Sequence, residues 1–261
     1  MNYVRLFIAY LRLGIAGETA YRINFFIQLF QSLIGIGTSL GGLSVIFSYT
    51  NLLGGWKPDE VLALLGVYFL VGGIIGSIIR PGMEDLIESV RTGTIDFTLA
   101  KPADAQLLVS IQRVQIWQAL DILLGFGVLV TALVRLGVIV GLLEGLEFVA
   151  MLLAGSLIVY SFFLMLATLS FWFIRVINVL EIFQSMYQAG RWPVSLYPGW
   201  LRYGLTFIIP VAFATTVPAQ ALTGRLNWQT LLGTIALAVA LFAVSRAVWK
   251  VGLKHYAGAS A

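Results

Sequence analysis

Residues 61–79 read VLALLGVYFLVGGIIGSII, nineteen residues without a single charge, and residues 80–104 continue as RPGMEDLIESVRTGTIDFTLAKPAD, where charged side chains crowd together. The first stretch is long enough to cross the hydrocarbon core of a bilayer as a helix, which takes about 20 residues. The second begins where the apolar run stops and is the only internal segment that looks soluble. The rest of the chain repeats the first pattern. Ile23–Phe47 and Phe148–Ile174 are free of charge, Ile116–Leu136 is interrupted only by Asp121 and Arg135, and Thr230–Val244 is the core of a last apolar stretch. Of 261 residues, 59% are hydrophobic and 11% charged, and the mean hydropathy is +0.94. Soluble domains carry about 25% charged residues. The composition therefore excludes a water-soluble globule and, being rich in aromatics, a disordered chain. What remains is an all-α integral membrane protein.

The absence of cysteine and the single histidine, His255, exclude disulfides, thiolate sites and a multi-histidine metal centre. Lys and Arg cluster before the first span (Arg5, Arg12, Arg22), between the second and third (Arg80, Arg91, Lys101, Arg113) and after the last (Arg246, Lys250, Lys254). Positive charge stays on the cytoplasmic side, so both termini are expected inside and the number of crossings is even. Six is the expected count. The remaining crossing is either Val176–Trp192, which is semipolar, or Leu205–Leu222, which is broken by Pro210 and Pro218. Residues 1–22 read either as a helix lying on the cytoplasmic membrane face or as an extension of the first span. They do not read as a cleavable signal. Trp56 is expected at the membrane interface, with Pro58, Asp59 and Glu60 starting the second span.

Residues 80–115 hold nine of the 28 acidic and basic side chains. Met83, Leu86, Ile87 and Val90 form one apolar stripe at helical spacing, with Glu84, Asp85, Glu88 and Arg91 mostly off it. Gly93 is placed to end that helix in a left-handed conformation. A short amphipathic helix is therefore expected between the second and third spans. Asp104 then caps a helix running from Ala105 to Leu136, about 48 Å long at 1.5 Å per residue, which would project from the membrane. This loop reads either as a solvated linker or as a docking element for a cytoplasmic partner.

Within the spans, Asp121 lies near Gln115 and Gln118, which can share its hydrogen bonds. It reads either as a substrate or gating contact or as polar packing. Asn178, Glu181, Gln184, Ser185 and Gln188 make a polar stripe that has to face protein or water. Gln28 and Gln31 in the first span are weaker candidates of the same kind. Gly37–Gly41 and Gly72–Gly76 have the spacing that permits close helix contact.

Two segments carry a resemblance. Residues 88–102, ESVRTGTIDFTLAKP, resemble the first cytoplasmic loop of ABC-2 type permeases, through Arg91, Gly93, Ile95, Asp96, Leu99, Lys101 and Pro102. Residues 192–202, WPVSLYPGWLR, followed by Pro210–Phe213, resemble a second segment of that family. The match covers nearly the whole chain and is nearest to the small ABC-2 permeases that work with a sister permease and a separate ATPase.

The resemblance implies one transmembrane domain over residues 1–261 with six membrane helices, of the type V exporter kind. It would have an N-terminal interfacial helix (1–22), a cytoplasmic coupling loop (80–104) and an outer re-entrant segment (193–225) marked by Pro193, Pro198, Trp200 and Pro210. It makes Val176–Trp192 the fifth span. It implies that Glu84, Asp85, Leu86, Glu88, Arg91, Gly93 and Asp96 couple to the ATPase. It also implies that Gln28, Gln31, Asp121, Asn178, Glu181 and Gln184 line the substrate pathway or the subunit interface. The implied location is a prokaryotic inner membrane, and the implied role is export of a lipophilic or amphipathic substrate. No phosphate-binding G-x-x-x-x-G-K-[ST] occurs in these residues. ATP and Mg would then belong to a partner ATPase, with no cofactor in this chain, a second permease copy or sister subunit as the other partner, and no nucleic acid. An ion-coupled secondary transporter would want intramembrane carboxylates and inverted repeats, of which Asp121 and Glu181 offer little. A non-transporting anchor is a further alternative.

Overall fold

The computed structural model describes residues 8–12, 14–16, 22–138, 140–173 and 177–256. All regular structure among them is helical. In chain order the helices are α1 (Arg22–Tyr49), α2 (Pro58–Ile74), α3 (Arg80–Thr92), α4 (Asp96–Leu99), α5 (Ala105–Ile111), α6 (Ala119–Leu136), α7 (Leu142–Thr168), α8 (Ile177–Tyr187), α9 (Gly199–Tyr203), α10 (Val211–Ala214), α11 (Thr216–Leu222) and α12 (Trp228–His255). Five helical stretches are long and apolar enough to cross a membrane: α1, α2 through α3, α6 with the turn before it, α7 and α12. A bent pair, Gly199–Ile208 with Val211–Leu222, turns through 69° and would make a sixth if it were one span.

The helix at residues 58–79 is the axis of the bundle. Of its most apolar stretch 78% is buried, against 17% in α1, α6 and α12. Those three expose Phe26, Phe30, Leu123, Phe126, Val239 and Phe242, among others, as a lipid-facing surface must. Glycine sets how closely α2 and α6 approach. A Cβ on Gly66 would fall 2.7 Å from the Leu129 amide nitrogen, and one on Gly73 would fall 2.7 Å from that of Ile122. The working spacing is thus seven residues on α2, met by Gly125 of α6. Of the glycines expected at contacts, Gly37 and Gly41 face open space within this chain. Helix α12 lies along α7, and a smaller apolar cluster joins Met151, Ala154 and Ile158 of α7 to Val217, Ala221 and Ala238.

Three expectations are corrected here. The amphipathic helix is not separate: α2 passes through a wider π-turn, Ile75–Ile79, directly into α3, giving one continuous 35-residue helix. Pro81 cannot donate a backbone hydrogen bond, and its ring crowds the carbonyl four residues back. The π-turn absorbs this, and the Ser77 carbonyl accepts from Gln115 N at 2.9 Å instead. The second correction follows from the first. The long helix expected over 105–136 is interrupted at residues 112–115, because Gln115 is drawn to Ser77 and the Gln112 and Arg113 side chains bond Asp85. Third, Trp56 is not an interfacial anchor. It is 3% exposed and covered by the Arg225 guanidinium, 5.0 Å from its ring.

Gly93 ends α3 as expected, at φ +74°. Asp104 caps α5, accepting from Leu107 N at 3.2 Å. Of residues 1–22, the pieces 8–12 and 14–16 are helical. They lie beside the loop, with Lys101 Nζ donating to the Tyr10 hydroxyl at 3.2 Å. The rest of that expectation lies outside the described residues.

Candidate functional site

A cavity of about 650 Å³ opens beside the axial helix. Its wall on that helix is Tyr68, Phe69, Gly72, Gly76, Arg80 and Glu84, which the π-turn at 75–79 helps keep on one face. Gln28, Gln31 and Ser32 of α1 form a second wall, Gln115, Gln118 and Asp121 a third, and Gln184, Tyr187, Gln188 and Arg191 a fourth. The structure thus brings together four of the six residues expected on the pathway: Gln28, Gln31, Asp121 and Gln184. Asn178 and Glu181 do not line the cavity. They are exposed on another face of α8, together with Ser185.

Much of the polar lining is paired within the cavity wall. Gln28 and Gln118 exchange amide hydrogen bonds at 3.1 and 3.2 Å. Gln118, expected beside Asp121, is committed to this pair. Arg80 Nε donates to Glu84 Oε1 at 2.6 Å. The Tyr187 ring stacks on Tyr68 with centroids 4.9 Å apart, and its hydroxyl donates to the Tyr68 carbonyl at 2.9 Å. The Arg191 guanidinium sits 5.3 Å from the Tyr68 ring centre. Tyr68, Tyr187 and Arg191 were missed from the sequence. The four-residue recurrence from Tyr68 to Glu84 was the available signal.

A second surface lies at the end of α3. Leu86 is fully buried in the core. Glu84 faces the cavity, and Asp85 is engaged by Gln112 and Arg113. Glu88 and Arg91 are exposed and paired at 2.6 Å, a pairing that lowers the Glu88 carboxyl below its ordinary range. Beyond Gly93, Asp96 starts the turn α4, with Tyr256 from the end of α12 beside it. Phe97 in the same turn is 75% exposed. At the base of the loop, the Arg246 guanidinium of α12 donates to both Asp104 oxygens and to Gln106 Oε1, the latter at 2.7 Å. Ser110 meets Tyr160 of α7 at 2.7 Å. The loop is therefore fastened to the last two long helices.

A third set of contacts lies at the opposite end of α2. Ser195 Oγ donates to the Gly54 carbonyl at 2.7 Å. Arg225 donates to both Glu60 oxygens, at 3.0 and 2.7 Å, and to the Gly55 carbonyl at 2.8 Å. Both ends of 196–224 thus meet the turn at 54–60, while the middle, at Phe213 and Ala214, packs on Gly155 near the centre of α7. Pro193 is buried before a short turn, Pro198 precedes α9, Trp200 is 76% exposed, and Pro210 sits at the 69° bend.

The profile of the ABC-2 family transporter proteins matches residues 33–260. The chain belongs to that family. It is a multi-pass membrane protein and a component of a membrane transporter. Comparison with curated proteins and with solved structures gave no match.

Proposed function

We propose that this chain is the permease subunit of an ATP-driven exporter, worked by a separate cytoplasmic ATPase that docks on the loop at residues 88–102. One observation carries the reading. A single continuous helix, 58–92, forms a wall of the polar cavity and ends in that loop. At 1.5 Å per residue it is about 52 Å long, so a displacement at the loop is carried to the cavity along one unbroken helix, through its π-turn at 75–79. The docking face would be the Glu88–Arg91 pair together with Asp96 and Phe97, while Glu84, Asp85 and Leu86 act within the chain.

The topology we favour has six crossings with both termini cytoplasmic. The fifth runs through α8 to Ser195, and 196–224 re-enters from the outer side. The joint anchoring of Ser195 and Arg225 at residues 54–60 supports this. Arg191 and Arg202 then lie away from the cytoplasm, against the usual charge bias. Each has a structural reason: Arg191 lines the cavity, and Arg202 donates to the Ser195 and Tyr197 carbonyls. The exposed polar face Asn178, Glu181 and Ser185 would be covered by a second permease subunit, since such side chains avoid lipid. The inner membrane of a prokaryote is the setting this reading implies.

Expression of the tagged chain with its genomic neighbours tests the reading. A soluble ATPase should co-purify, and Glu88→Arg should weaken its capture. Transport that persists with no ATPase present would refute it.

A further inference from the structure

Two ionisable side chains that line the cavity, Asp121 and Arg191, have no counter-ion within salt-bridge distance among the described residues. Arg80 and Glu84 neutralise each other. The polar atoms there are also unfinished. Asp121 has Ser32 beside it and Arg191 the Tyr68 hydroxyl, but the atoms Asp121 Oδ1, Gln184 Oε1 and Arg191 Nε are shielded from solvent and have no hydrogen-bond partner among the described residues. Two of these are acceptors, one of them a carboxylate oxygen, and the third is a guanidinium donor. Lone charges at membrane depth and orphaned buried polar atoms are both costly, and native structures retain them chiefly where function needs them.

We infer that the cavity binds a zwitterionic group, an ammonium that meets Asp121 and Gln184 and an anionic oxygen group that meets Arg191. A purely apolar ligand would leave all three atoms unpaired. A simple cation would leave Arg191 uncompensated, and a simple anion would leave Asp121 so. A ligand with both charges satisfies the set and keeps the filled cavity neutral. The volume, about 650 Å³, is within the range of small-molecule sites. Gln31 and Gln188 are exposed at the rim. Calling this ligand the cargo rests on the permease reading; the binding itself does not. The same chemistry is offered by the headgroup of a zwitterionic lipid and by an amino acid or short peptide.

The test uses the full chain in nanodiscs of phosphatidylglycerol, which carry no zwitterionic headgroup. Four probes are titrated by calorimetry: phosphoethanolamine and trialanine, which carry both charges and an ammonium that can donate, and ethanolamine and inorganic phosphate, which carry one charge each. At least one two-charge probe should bind more tightly than either single-charge probe. Phosphoethanolamine as the better ligand identifies a lipid headgroup, and trialanine identifies an amino-acid or peptide source. Asp121→Asn and Arg191→Gln should each weaken that probe about tenfold or more, because each removes a charge-assisted contact. The melting temperature without probe establishes that each variant is folded. The inference is overturned if neither two-charge probe binds, if ethanolamine or phosphate binds as tightly, or if both folded variants bind like the original chain. Loss of the ligand result with ATPase capture intact removes this assignment alone. Loss of ATPase capture with binding intact removes the permease reading alone.

Discussion

The backbone amide of Gln115 donates to the carbonyl of Ser77, 38 positions earlier, because Pro81 leaves that carbonyl without its helical donor. The contact ties the start of the third span to the π-turn of the axial helix. Replacing Pro81 with Ala offers Ser77 a donor within its own helix and removes a residue that costs about 3 kcal/mol in a helix interior. The expected outcome is a straighter, better protected helix over 75–85 and a released Gln115. Amide exchange at Gln115 should accelerate by roughly tenfold, the equivalent of one hydrogen bond of about 1–1.5 kcal/mol. Unchanged exchange at Gln115 would contradict the link.

Asp104 does two things, and substitution separates them. It caps α5 and pairs with Arg246. Asp104→Asn keeps a capping oxygen but loses the ion pair, while Asp104→Ala loses both and should cost about 1 kcal/mol more. The hydrogen bond from Arg246 holds the Asp104 carboxyl below its ordinary value. Its contribution is therefore complete above about pH 4 and is lost as pH falls through the lower, folded value. Melting temperatures of the original chain and of Asp104→Asn should differ at pH 7 and converge at the acid end.

The apolar runs, Gly93 as a helix stop and Asp104 as a cap were legible because each follows from local chemistry. The cavity was only half legible. Gln28, Gln31, Asp121 and Gln184 stand out as polar residues in apolar segments, whereas Tyr68 and Tyr187 are aromatic and blend with a lipid-facing surface. Arg191 carries no local signal of its role, because its position over Tyr68 depends on helices more than a hundred residues apart. The continuity of 58–92 was hidden by Pro81, which locally signals a new helix. What overrode that signal was a distant donor, Gln115. The α2–α6 seam was hidden in a similar way, since Gly66 and Gly125 become partners only when the two helices meet.

Phe97 and Glu84 make opposite predictions for ATPase capture. Phe97 is an aromatic side chain held in water at the loop tip, and buried aromatic anchors dominate interfaces at about 2 kcal/mol or more each. Phe97→Ala should therefore weaken capture by about thirtyfold. Glu84 is turned to Arg80 and the cavity, so Glu84→Gln should leave capture within about twofold while changing transport. Capture that depends on Glu84 and ignores Phe97 would move the docking face to the other side of α3.

Glu60 is the residue on which the segment 196–224 is fastened. Its side chain is 11% exposed and both its oxygens are taken by Arg225. Glu60→Gln keeps the size but removes the charge opposite a guanidinium that also covers Trp56. The expected cost is about 1–3 kcal/mol, or several degrees of melting temperature for a chain of this size. The same variant bears on topology. Ser195 is exposed, and its hydroxyl reaches Gly54 in the turn that Arg225 also meets. In a Ser195→Cys background, an impermeant thiol reagent should label intact cells from outside. Glu60→Gln should increase that labelling, because loosening one end of the segment frees the turn to which the other end is bound. Labelling only from the cytoplasmic face would overturn the re-entrant reading and make Leu205–Leu222 the fifth crossing.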